Sequence, residues 1–127
     1  MRHTRHYTLA EANAARPWVA ERVRRIRAGQ EELVALGERA VEALATLDPR
    51  TGGAYPGREV ARSLVAVSRA ADELQAVEVV LRDAGRGLVD FPAVRDGEEV
   101  YLCWLLEEDE VRFWHAPEAG FGGRRPL

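Results

Sequence analysis

The sequence predicts an α+β fold: a long antiparallel helical hairpin, preceded by a short N-terminal helix, packed on a small three-stranded antiparallel β-meander. Three observations predict it. Apolar residues recur at alternating spacings of three and four through two long segments, the period of a helix seam. A stretch dense in glycine and proline, Asp48 to Gly57, separates the two. After Gly87 the pattern changes to an alternation of period two, which belongs to strands. One domain is expected over residues 1–127: a short helix at 8–15, hairpin helices at 17–47 and 58–84, a meander at 88–115 and a tail at 116–127.

The first helix opens at Thr8-Leu9-Ala10-Glu11, a capping box in which the Thr8 hydroxyl and the Glu11 carboxylate each accept the other's backbone amide. Tyr7 precedes it as a candidate staple. Pro17 clashes with a preceding turn but suits the first turn of a new helix, so a break is expected between Ala15 and Pro17. The first long seam then reads Val19, Val23, Ile26, Gln30, Leu33, Gly37, Ala40, Leu44 and Leu47, a coiled-coil-like repeat weakened at Gln30 and Gly37. The second reads Val60, Leu64, Val67, Ala71, Leu74 and Leu81, with Glu78 interrupting and Gly85 ending the helix. A hairpin of this kind is about 40 Å long. Val34, Leu36, Val41, Val65, Val77, Val79 and Val80 lie off both seams and need another cover. The sheet is expected to cover part of them, and a second copy of the chain in a homodimer the rest.

Three strands are expected at Leu88–Phe91, Glu99–Leu106 and Val111–His115. Asp96-Gly97 is a strong hairpin signal, because both turn positions need positive φ. With a second two-residue turn at Glu108-Asp109, Val89, Trp104 and Phe113 share one face, and Asp90, Cys103 and Trp114 share the other. A one-residue bulge would scramble that row.

Composition narrows the chemistry. A chain of 127 residues buries roughly two-thirds of its unfolded surface and folds without staples. All 18 basic residues are arginine, so no lysine is available for a Schiff base, a general base or a phosphate loop. The single cysteine closes no intrachain disulfide, and the N-terminus lacks the apolar core of a signal peptide, which points to a reducing cytoplasm. No apolar run approaches the roughly 20 residues of a membrane span.

The segments YTLAEAN, GLVDFP, YLCW, FWH and GFGGRRP resemble the small uncharacterised bacterial proteins grouped as domain of unknown function 2203, across nearly the whole chain. That resemblance implies no activity and assigns no role to any residue.

The candidate site is Asp90, Cys103 and His115, joined by Glu118 and Arg124. Carboxylate, thiolate and imidazole together suit zinc or a similar divalent ion. The spacing carries no known metal pattern, and in the expected register His115 points away from Cys103. Each residue has a plainer reading. Cys103 between Leu102 and Trp104 fits a buried apolar position, His115 a strand-end cap, and Asp90 a backbone partner near Pro92. Ser63 and Ser68, the only serines, lie inside a helix and offer no nucleophile on a strained turn, which leaves Cys103 with His115 as the one nucleophile pair.

Arg22, Arg24, Arg25 and Arg27 point around most of a helix circumference, and Glu21, Glu78 and Asp83 are expected to pair with them, so nucleic-acid binding is disfavoured. The tail from Ala119 to Leu127 is expected to anchor Phe121 on the sheet, leaving Arg124 and Arg125 for an anionic ligand or a neighbour's acidic turn. The sequence therefore favours a homodimeric interaction or assembly module over an enzyme. The alternative is a metal- or small-ligand-binding protein, or an enzyme, using Asp90, Cys103, His115 and Arg124.

Overall fold

A computed structural model of the chain describes residues 1–45 and 56–127. Among these residues the chain forms helix α1 (Leu9–Ala45), helix α2 (Gly57–Ala76) and strands β1 (Val80–Asp83), β2 (Leu88–Arg95), β3 (Glu98–Leu105), β4 (Phe113–His115) and β5 (Arg125–Pro126). A 3-10 turn at Phe121–Gly123 precedes β5. The strands make one antiparallel sheet in the order β1-β2-β3-β4-β5, so the expected meander gains a strand at each edge. Leu47 and most of the expected connecting loop lie outside the described residues.

The capping box forms: Glu11 Oε1 accepts from the Thr8 amide and Thr8 Oγ1 from the Glu11 amide, both at 3.1 Å. Tyr7 is buried, edge-on to Phe91, and donates its hydroxyl to the Val77 carbonyl at 2.7 Å. The expected break before Pro17 is absent, and α1 runs through it, so the short helix and the first long helix are one. A proline inside a helix costs about 3 kcal/mol. Ala12 on one side of it and Val19, Ala20 and Val23 on the other all enter the same core. Burial of the two valines at about 1.5–3 kcal/mol each offsets that cost.

The hairpin is antiparallel, since positions rising along α1 meet positions falling along α2. Arg22 Nε lies 2.7 Å from Glu73 Oε2, and Gly29 sits against Val67 and Ser63. A Cβ at Gly29 would collide with Val67, so the helices touch backbone to side chain here. Each seam keeps every other expected position and moves by one residue at those between, Gly29 and Leu36 replacing Gln30 and Gly37 on α1, and Ser63 and Ala70 replacing Leu64 and Ala71 on α2. The inner face of α1 carries Ile26, Gly29, Leu33, Leu36 and Ala40, and that of α2 carries Val60, Ser63, Val67, Ala70 and Leu74. Gln30, Gly37, Leu44, Leu64 and Ala71 are exposed instead. The spacing remains an alternation of three and four, and the exchange takes the polar Gln30 out of the contact and puts Leu36 in.

The common core joins Ala12 to Ile26 of α1, Ala70 and Leu74 of α2, and one face of the sheet, Val89, Phe91, Ala93, Val100, Leu102 and Trp104. Of the residues left off the seams, Leu36 and Val79 are buried and Val77 and Val80 half-buried, whereas Val34, Val41 and Val65 are exposed. No described helix is long and apolar enough to cross a membrane.

The second helix stops at Ala76, eight residues before the expected end at 84, and Leu81 belongs to β1. Glu78 adopts the left-handed conformation, φ 58°. The Val79 amide reaches back to the Leu74 carbonyl at 3.1 Å and the Glu78 amide to Gln75 at 3.0 Å, a Schellman closure with Glu78 where glycine usually stands. The Glu78 carboxylate accepts from the Thr4 amide, the Thr4 hydroxyl and the Arg5 amide at 2.8–3.1 Å, so the strained residue also tethers the N-terminal segment. Beyond it, the β-branched Val79-Val80 starts the edge strand.

Glu99 holds the same segment from the sheet side. It accepts from the Arg2 and His3 amides and from His6 Nε2, at 2.8–3.1 Å. Burial pushes its carboxyl up, but the His6 bond and the two amides outweigh that and hold it at about 2, against an ordinary 4.5. A folded value below the unfolded one stabilises the fold above about pH 4.5, and the gain is lost as pH falls toward 2. Glu99→Gln should therefore be less stable than wild type at pH 7, on the order of 1 kcal/mol after solvent screening. In urea unfolding followed by circular dichroism, that gap should close as pH falls from 5 toward 2; a gap independent of pH would refute the assignment.

Candidate metal centre

The Asp96-Gly97 turn has both residues at positive φ, 52° and 79°, and closes on the pair Arg95↔Glu98. That register sets Asp90 directly opposite Cys103, as the sequence predicts. The next connection differs. Seven residues, Leu106 to Arg112, replace the expected two-residue turn, and they shift β4 by one place so that Cys103 pairs with Phe113 and Tyr101 with His115. The loop takes its shape from Glu108, whose carboxylate accepts the Leu105 amide at 2.7 Å and whose carbonyl accepts Trp104 Nε1 at 2.8 Å.

The shift reverses one expectation. Trp114 turns to the helix side, and His115 joins Asp90 and Cys103 on the face away from the helices. The three side chains are 2%, 1% and 0% exposed, and one ligand atom from each lies within 4.8 Å of the others. The polar face is thus not an open one. The tail folds over part of it and borders a half-open cavity of about 320 Å³, lined among others by Arg2, Arg82, Asp90, Cys103, His115 and Glu118.

His115 Nδ1 lies 2.7 Å from the Ala116 carbonyl oxygen, which has no proton to give, so Nδ1 is the donor. Nε2 then faces both Asp90 carboxylate oxygens at 3.0 Å. A bare lone pair against a carboxylate is repulsive, so a proton or a metal ion must stand between them. The Nδ1 bond is also the outer-shell contact that orients a metal-binding imidazole. Asp90 Oδ2 further accepts Arg82 Nε at 2.8 Å, which leaves Oδ1 without an arginine partner.

Burial pushes the Cys103 thiol up, the Asp90 charge adds to it, and Arg124 opposes both; the result is about 12. Unmetallated, a thiol shifted this way is mostly protonated at neutral pH. A bound metal ion would displace that proton outright.

Arg124 stands beside the cluster without joining it. Its Nη2 donates to the Cys103 carbonyl at 3.2 Å and to Glu108 Oε1 at 2.6 Å, and its guanidinium lies over Phe113 and Phe121. The acidic turn that it meets is this chain's own. Among the described residues, Arg124 Nε is the buried side-chain nitrogen with no hydrogen-bond partner. Arg82 and Arg2 also line the cavity, and the sequence pattern does not point to either. Arg82 falls in the segment read as helix, and Arg2 in a terminus without periodicity; the run Val77 to Leu81, rich in β-branched residues, was the available signal for a strand there.

Three of the four arginines of the basic stretch, Arg22, Arg25 and Arg27, are engaged within the molecule. Arg22 pairs with Glu73 and Glu21, Arg25 with Glu21, and Arg27 Nε donates to the Ala84 carbonyl at 3.1 Å. The partner across the hairpin is therefore Glu73, Arg27 instead reaches the β1–β2 connection at Ala84, and Glu78, expected among the partners, holds Thr4 and Arg5.

A buried, protonated thiol should resist Ellman's reagent in the native protein at pH 7.5 and react stoichiometrically once the chain is unfolded in guanidinium. Prompt labelling of native protein would contradict the burial of Cys103.

No curated protein and no solved structure matches the chain. The family model described as "Uncharacterized conserved protein (DUF2203)" matches residues 5–127, essentially the whole sequence, and the chain belongs to that family.

Proposed function

We propose that the protein binds a divalent metal ion of the zinc type, held by Asp90 carboxylate, Cys103 thiolate and His115 Nε2. The observation that carries this reading is the meeting of three different donors, all buried, with Nδ1 of the imidazole already committed to Ala116. Tetrahedral zinc places its ligands roughly 3.3–3.8 Å apart, so the trio needs side-chain movements of about 1 Å at most. Nitrogen, oxygen and sulfur together suit zinc better than magnesium or calcium, which take oxygen alone. Three protein ligands leave a fourth position open, the arrangement of a reactive or ligand-exchanging site rather than of a closed structural one. The lone cysteine fits a reducing, cytoplasmic setting.

Protein purified without chelator and measured by elemental mass spectrometry should carry about one zinc per chain, or take up one when zinc is added. Cys103→Ser and His115→Ala should lose it. Wild type that neither retains nor binds zinc overturns the proposal.

A second reading concerns assembly. Val34, Val41, Leu44, Leu64 and Val65 are each more than half exposed on the hairpin, away from the sheet. Apolar surface of this kind supports a homodimer formed through the hairpin, the role expected from the surplus of valine and leucine. Light scattering should then report twice the 14.1 kDa chain mass, and Val41→Glu with Val65→Glu should return it to one. A wild-type monomer at micromolar concentration would refute it.

A further inference from the structure

The cavity beside the three donors has a charge pattern of its own. Metal at 2+ with one carboxylate and one thiolate is neutral, His115 adding nothing. The remaining charged groups on the wall are then Arg82, Arg2 and Glu118, a balance of one positive charge. Arg82 spends its Nε on Asp90, and its guanidinium stands 4.9 Å from the centre of the Tyr101 ring, so the arginine is fixed in direction next to the metal ligands. Its side chain remains 41% exposed while Asp90 is 2% exposed, which puts the guanidinium at the mouth and the carboxylate at the floor. Leu88, Pro117 and Phe121 supply an apolar side wall.

From this we infer that the cavity is a binding site for a small organic carboxylate, one oxygen taking the open position on the metal and the other pairing with Arg82. The inference rests on the metal-binding reading above. One net positive charge favours a monoanion over a doubly charged phosphate. About 320 Å³ is at the small end of ligand pockets, so the acid carries a short apolar chain rather than a nucleotide or a peptide. Planar arginine is suited to a carboxylate, and the metal supplies the directional partner on the other oxygen. Arg2 closes the site from the N-terminal segment, which Glu99 and Glu78 hold in place through main-chain bonds that do not involve the Arg2 side chain.

The test uses the full chain loaded with cobalt(II), whose visible absorption reports both a thiolate ligand and the occupant of the open position. Sodium butyrate should change the spectrum saturably, and inorganic phosphate should do so more weakly. Arg82→Gln should weaken butyrate by about tenfold or more, the worth of a charged hydrogen bond, with cobalt still bound one to one. Arg2→Ala, which leaves Asp90 and its partners untouched, should weaken it in the same direction. A cobalt spectrum indifferent to butyrate overturns the carboxylate site and leaves the metal site standing. Phosphate binding more tightly than butyrate overturns the choice of a monoanion. Failure to bind cobalt, read from the same spectrum before any anion is added, overturns the metal site and the carboxylate site with it.

Discussion

A two-residue turn at Asp96-Gly97 decides which side of the sheet every residue of β2 and β3 occupies. With period two, a slip of one residue would send Asp90 under the helices and Phe91 out toward the tail. Asp90 there would be a carboxylate facing Val19, Val23 and Leu74, at a cost of several kcal/mol. The turn therefore does more than join two strands. It separates an apolar face, which binds the helices, from a polar one, on which Asp90 and Cys103 stand side by side. His115 is added to that face by the loop from Leu106 to Arg112, whose shape is held by Glu108 and by Asn13 Oδ1 on the Val111 amide.

The two faces are closed by different means. Helices α1 and α2 cover one with alanine, valine, isoleucine and leucine, where non-directional burial suffices. The other is covered by chain termini, and there directional bonds do the work. Glu78 and Glu99 take five backbone and side-chain donors from Arg2, His3, Thr4 and Arg5, and Glu99 takes His6 as well. The C-terminal tail is tied by Arg124 to Cys103 and Glu108, and by the Leu127 amide to the Arg112 carbonyl at 2.9 Å. Gly87 lets the β1–β2 connection lie against Leu106, since at φ 67° a side chain would be strained and its Cβ would strike Leu106.

What the sequence revealed and what it concealed follow from the range of the interactions concerned. The capping box, the Asp96-Gly97 turn and the pairing of Asp90 with Cys103 depend on residues a few places apart and could be read directly. The continuation of α1 through Pro17 could not, because it depends on a core assembled from Ala12, Val19, Phe91 and Trp104, far apart in the chain. The exchange of alternate seam positions was hidden for a similar reason. A 3-4 repeat can be drawn through either neighbour at those positions, and small residues such as Gly29 and Ser63 look like gaps until the two helices are seen to approach there. The early end of α2 was masked by valines, which serve a helix face and a strand alike; left-handed Glu78 resolves the choice only with Thr4 and Arg5 in place. The candidate site is legible as a set of residue types but not in direction, because a seven-residue loop stands where Glu108-Asp109 predicts a tight turn.

The same physics explains why this polar cluster is informative. A sheet face sealed by tails needs only apolar side chains, and replacing Asp90 and His115 by such residues would remove the cost of desolvating them. Arg82 on Asp90 and the Ala116 carbonyl on His115 offset part of that cost, and a positive charge between Nε2 and the carboxylate would offset more. A proton would serve that need, but it would leave unexplained a thiol within 4.8 Å, an arginine beside the carboxylate and a cavity opening onto all three. A divalent ion would use each of them at once: His115 Nε2, the Asp90 oxygen that Arg82 leaves over and the Cys103 sulfur would hold it, beside the cavity.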